Sequence, residues 1–170
     1  MADWGPLVAE HSAALQEFVV LARRVSPDRW NQPIATGKWT PAEITSHLSE
    51  SYQVLRGELA GAAGMQLRLT RLQRWLLRHT ILPRILASGK FPAGARAPRE
   101  TRPRDGQVDA TSALHRLSTE ADAFVQELSG PSRRRARLTH AYFGSMSARQ
   151  GIRLATVHTR HHARQLAAVV

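Results

Sequence analysis

Cysteine is missing from this sequence altogether. Its absence excludes disulfide staples, thiolate zinc sites and a cysteine nucleophile, so any thiol chemistry must draw its sulfur from a small molecule. Long apolar runs are missing as well. No segment approaches the roughly 20 apolar residues of a bilayer span, and no hydrophobic leader follows the acidic start Met1-Ala2-Asp3-Trp4. A soluble, cytoplasmic protein is expected. The glycine-rich nucleotide fingerprints, the HExxH motif, the nucleophile-elbow serine and the paired Glu-x-x-His units of diiron bundles are also lacking. No strand pattern, repeat or low-complexity tract stands out. The 170 residues suit a single domain over 1–170 with one core.

Acidic residues are scarce: 13 Asp and Glu stand against 24 Lys and Arg, a net charge of +11. The imbalance is local. From Gln66 to Arg104 ten basic residues (Arg68, Arg71, Arg74, Arg78, Arg84, Lys90, Arg96, Arg99, Arg102 and Arg104) face Glu100 alone, which accounts for nine of the net charges. Most of the rest is the run Arg133-Arg134-Arg135 with Arg137, read here as solvated surface. One function class is therefore a non-enzymatic basic module, with Arg68, Arg71, Arg74 and Arg78 along one side of a helix against nucleic acid phosphates or an anionic membrane. Aromatic residues among those arginines are few, Trp75 and Phe91, and no base-reading motif is present.

What the sequence does contain is helical periodicity. Pro6 suits the first turn of a helix continued by Leu7, Val8, Leu15, Phe18, Val19 and Ala22, ending near Val25 before the turn chemistry of Ser26-Pro27-Asp28. Thr40-Pro41-Ala42-Glu43 is a capping box with proline at the first helical position. It starts a helix with the inner stripe Ile44, His47, Leu48, Ser51, Tyr52 and Leu55, closed by Gly61 and Gly64. A third helical pattern runs from about Met65 to Leu82, where Pro83 interrupts it, and Ser88 to Gly106 reads as a long surface loop. Ala110, Leu114, Leu117, Ala121, Phe124 and Leu128 form the most regular stripe, terminated by Gly130-Pro131; Ser147-Ala148-Arg149-Gln150 caps the last helix. Short links join the first two and the last two main helices, and a long one separates the pairs. The expected fold is all-α: a four-helix bundle with a long, basic, helix-containing crossover over residues 65–106 between its second and third helices.

The densest chemistry lies near the C-terminus. Leu154, His158, His162, Gln165, Leu166 and Val169 recur at three- and four-residue steps, so two histidines one turn apart share a face with core residues. His47 lies on the inner stripe of the second helix. Three inward imidazoles without a cation are hard to satisfy, since each needs partners for both ring nitrogens. Together His47, His158 and His162 predict a mononuclear metal site. Three ligands leave an open position, and imidazole suits zinc, nickel, copper and iron. His161, on the flank of the stripe, is the alternative to His162. Glu50, one turn after His47, is the candidate to orient an imidazole or act as catalytic base, against the plainer reading of a solvated glutamate. Gln165 is the candidate to contact the site or a cofactor, against a plain interhelical hydrogen bond. Trp39 is read as packing at the helix start or as a wall of the pocket. His11, His79, His115 and His140 show no convergent partners.

The same residues resemble a known family. Trp39-Thr40-Pro41-Ala42-Glu43 with His47-Leu48 is similar to the W-(T/S)-x-x-E-x-x-x-H-(L/I) signature of the DinB/YfiT-like metalloprotein superfamily. His158-x-x-x-His162-x-x-Gln165-Leu166 resembles its closing H-x-x-x-H-x-x-Q-(I/L) motif. The resemblance implies His47, His158 and His162 as ligands of a divalent metal, zinc or nickel, in an up-down-down-up bundle that forms homodimers. Several relatives are metal-dependent transferases or isomerases using low-molecular-weight thiols. The expected function is thus transfer of such a thiol to an electrophile, with an anionic or electrophilic small-molecule substrate. The alternatives are metal-dependent hydrolysis of a small ester or amide, and the basic binding module above.

Overall fold

The computed structural model describes residues 4–67, 69–92, 96–103, 108–130 and 135–170. Of the features singled out above, Met1, Ala2 and Asp3 of the acidic start, Arg68, Arg104, Gly106, Pro131, Arg133 and Arg134 lie outside the described residues.

The chain is mostly helical, and its helices start where side chains can satisfy free backbone N–H groups. α1 covers Gly5–Arg24, with Pro6 in its first turn, and a single-turn α2 covers Pro27–Trp30. α3 (Pro41–Leu59) opens on the expected capping box: Thr40 Oγ1 accepts from the Glu43 N–H and Glu43 Oε2 accepts from the Thr40 N–H at 2.7 Å. Gly61, at φ +98°, turns the chain out of it. α5 (Ala110–Ser129) is capped by Asp109, and α6 (Ala148–Leu166) by the box of Ser147 and Gln150.

The crossover differs from expectation in two ways. Its helix, α4, spans Arg71–Ser88, later than the Met65 start expected, because Thr70 and Gln73 form a further capping box. That T-x-x-Q signal is present in the sequence and marks the boundary. α4 also runs through Pro83. Proline removes one backbone hydrogen bond, but Pro83 faces solvent while Leu82 and Ile85 beside it are buried, so packing outweighs the lost bond. A second departure is a small antiparallel hairpin, β1 (Arg137–His140) with β2 (Gly144–Ser147), paired from Arg137↔Ser147 to His140↔Gly144. Four-residue strands are too short to show alternation in the sequence. Gly144, at φ +66°, makes their turn.

α1, α3, α5 and α6 form the four-helix bundle. α1 packs chiefly on α6 and α3 on α5. Phe18, Ile44, Leu48, Tyr52, Leu117, Phe124, Leu128 and Ile152 fill the space between them. A smaller cluster holds α4 outside the bundle, where Leu82 and Ile85 meet Phe143 and Met146 of the hairpin and Leu154 and Val157 of α6. The hairpin is fixed from both sides. Glu58 Oε2 on α3 accepts from the Thr139 N–H at 2.8 Å, and Leu138 packs so closely on α6 that a Cβ at Gly151 would lie 2.5 Å from its Cδ1.

Because the Thr40 cap fixes where α3 begins, Thr40→Ala is expected to cost about 1 kcal/mol. A thermal melt should then show a midpoint lowered by roughly 2–4 °C.

Candidate metal centre

The capped start of α3 puts His47 two turns in, on the buried side, and helical geometry puts His158 and His162 one turn apart on α6. Bundle packing brings the two helices together there. His158 Nε2 stands 3.1 Å from His47 Nε2 and 3.1 Å from His162 Nε2, and one ring nitrogen of each residue lies within 4.8 Å of the others. Two imidazoles bound to one cation at about 2.0–2.1 Å have their nitrogens roughly 3 Å apart, so the spacing fits a shared ion.

The tautomers agree with that fit. His47 Nδ1 is 2.5 Å from the Thr101 carbonyl, which only accepts, so the proton sits on Nδ1 and Nε2 carries a lone pair. His162 Nδ1 donates likewise to Gln165 Oε1 at 2.7 Å. One N–H on His158 can satisfy only one of these two lone pairs, and a cation between them satisfies both. Such outer partners are how metal-ligating histidines are oriented. The same residues favour neutral rings. Burial lowers the His47 pKa to about 4 against the weaker opposing effect of the Thr101 hydrogen bond, and lowers those of His158 and His162 well below the ordinary 6.5.

The three histidines line a cavity of about 1120 Å³, walled by apolar side chains of α4, the hairpin and α6, among them Leu77, Ile81, Ile85, Phe143, Met146 and Leu154. Lys38, Arg96 and Arg102 also line it and bring positive charge. Trp39 packs on His47 at 4.8 Å between ring centres and stacks on His162 at 6.4 Å, so it walls the site. Phe91 covers His158 and His161 at 5.4 and 5.6 Å.

Other expectations fare differently. Glu50 does not join the histidines: it is buried, and its Oε1 accepts from Arg116 Nη2 of α5 at 2.5 Å, because its position on α3 faces α5. It is neither a solvated glutamate nor a lining residue of the cavity. Gln165 touches the site through His162, and its Nε2 also donates to His161 Nε2 at 3.2 Å. His161 therefore stands one step behind the three clustered histidines, half-buried at the cavity wall. Two histidines treated as ordinary have partners after all. His11 Nε2 lies 2.8 Å from the Tyr52 hydroxyl, which meets Thr159 Oγ1 at 2.8 Å. His140 lines the cavity, accepts from the Tyr142 N–H and stacks on Phe143. His79 and His115 are exposed. Sequence reasoning missed Thr101, Phe91 and His140. The first two sit in the aperiodic part of the crossover, and no local signal marks them.

The profile of the DinB superfamily matches residues 10–166. The chain belongs to the DinB superfamily. A solved structure described as TT2238, a four-helix bundle protein, superposes with a TM-score of 0.50 at 17% identity, covering 98% of this chain and 99% of its own. That likeness supports the bundle fold. No curated protein matches the chain. Among the described residues of this DinB-superfamily chain, no helix is long and apolar enough to cross a membrane.

Elemental analysis should find about one divalent metal per chain, lost in His47→Ala. Gln165→Leu removes the acceptor that orients His162 and should weaken metal affinity roughly 10–100-fold, read by competition with a chelating dye. The metal-free chain should also lose stability as pH falls. His11, His47 and His140 have pKa values lowered by burial from 6.5 to about 4. The unfolded chain therefore takes up protons first, and the melting temperature should drop from about pH 6.5 to about pH 4 and hold above that window.

Proposed function

We propose that this DinB-superfamily chain is a metal-dependent enzyme that transfers a low-molecular-weight thiol to an electrophilic small molecule. The observation that carries this reading is the convergence of three neutral imidazoles on the wall of a large, mainly apolar cavity also lined by Lys38, Arg96 and Arg102. His47, His158 and His162 would hold the ion, zinc or nickel by the chemistry of the donor set. When bound, a divalent ion supplies Lewis acidity, which brings the pKa of a neighbouring thiol toward neutrality. The chain itself has no cysteine, so the sulfur comes from the thiol substrate.

The protein's own residues do the rest. Thr101 and Gln165 hold two imidazoles in the tautomer that presents Nε2. Trp39 and Phe91 shield the histidine rings. Lys38, Arg96 and Arg102 favour a thiol or an acceptor bearing a carboxylate, and the apolar walls of α4 and the hairpin exclude water around the electrophile. The thiol gives up its S–H proton to solvent; as its sulfur bonds to the electrophilic carbon, that carbon's bond to its leaving group breaks, and the leaving group departs with the bonding pair.

Incubation with a panel of small thiols and electrophiles, with and without chelator, tests the assignment. Turnover is expected only with thiol, and chelation or His47→Ala should abolish it. Chelator-sensitive turnover of an ester or amide in the absence of thiol would replace transfer by hydrolysis.

A further inference from the structure

The outer face of α4 has no partner within the described residues. Its large side chains there are Leu72, 73% exposed, Trp75, 57% exposed, and Leu76, 52% exposed. They are three of the six large hydrophobics exposed among the described residues, and they fall within five positions of one helix. The exposed His79 and Pro83 continue the stripe at helical spacing. Isolated exposed hydrophobics are ordinary, but a continuous apolar stripe on one helix is a mark of an interaction surface.

The charge around the stripe is of one sign. No Asp or Glu occurs from Leu59 to Arg99. Arg71 and Arg84 are exposed on α4, and beside its outer face lies a groove of about 540 Å³ lined by Arg78 and Arg153 with Gln150, Leu82, Pro83 and Leu86. Among the described residues no carboxylate pairs with Arg71, Arg78, Arg84 or Arg153; Arg78 instead donates to the Ser145 carbonyl. Trp and Leu on one face with arginines beside it is the make-up of a helix that lies in a membrane interface.

We propose that α4 docks this protein on an anionic lipid surface, with Leu72, Trp75 and Leu76 entering the headgroup–acyl boundary and the arginines meeting lipid phosphates. Charge decides between this occupant and its rivals. A two-fold interface with a second copy sets the same patch against itself, arginine facing arginine, on a chain already carrying +11. An anionic bilayer attracts those arginines and also takes up the apolar stripe. Nucleic acid would meet the arginines but leave Leu72 and Leu76 without an apolar partner.

The test uses the full chain with vesicles of phosphatidylglycerol mixed with phosphatidylcholine, and with vesicles of phosphatidylcholine alone. The native chain should co-sediment with the anionic vesicles only, less so at high salt. Its tryptophan emission should shift to the blue, since Trp4 and Trp30 are already buried, the half-buried Trp39 is packed on His47 and His162 away from α4's outer face, and Trp75 is the ring that changes surroundings. The exposed triple variant Leu72→Ser, Trp75→Ser, Leu76→Ser should stay folded by circular dichroism and lose roughly tenfold or more of the binding. Trp75→Phe should keep most of the binding and lose most of the shift. The proposal is overturned by absence of binding to anionic vesicles, or by equal binding of the triple variant. It is also overturned if that variant turns a native dimer into monomers while vesicles bind neither, which would give the face to a second copy. DNA binding that survives the serines without vesicle binding would give it to nucleic acid.

Discussion

Three imidazole Nε2 atoms facing one another inside a bundle, two of them with their protons held on the far side of the ring, are the constraint around which the site is arranged. Lone pairs about 3 Å apart in a desolvated space need positive charge between them. The chain has fixed the protons of His47 and His162 on their outer nitrogens, through a carbonyl of the crossover and an amide of α6. The inner nitrogens are left placed so that they could share a cation. Burial pushes the rings toward neutrality, which metal ligation requires as well.

The crossover does more than connect. Thr101, from its irregular part, orients His47, and Phe91 covers His158 and His161. The inner face of α4, through Leu77, Ile81 and Ile85, walls the cavity. α4 in turn rests on the hairpin, and the hairpin is tied to α3 by Glu58 and to α6 by the close approach of Leu138 to Gly151. One basic segment thus shapes the space beside the histidines and carries the outward apolar stripe.

Glu50 shows how helical position alone can mislead. One turn from His47 is three residues, and on α3 that step moves the side chain around to the face packed on α5, where Arg116 neutralises it. Its burial then reflects an ion pair within the bundle. His11 and His140 show the reverse. Neither has a suggestive neighbour in the sequence, yet packing gives His11 the Tyr52 hydroxyl and sets His140 in the cavity wall.

Local rules sufficed for the four bundle helices, because a capping box is read within four residues and an apolar stripe within two or three turns. The start of α3, the start of α6 and the pairing of His158 with His162 were legible for that reason. So was the inward place of His47, since it follows from its stripe. The course of α4 through Pro83, the short hairpin, the Thr101 partner of His47 and the aromatic walls were settled only by tertiary structure. His47 lies 54 residues from Thr101 and 111 from His158, and nothing in local periodicity says which distant segments will pack together. Those meetings follow from burying the whole apolar surface at once.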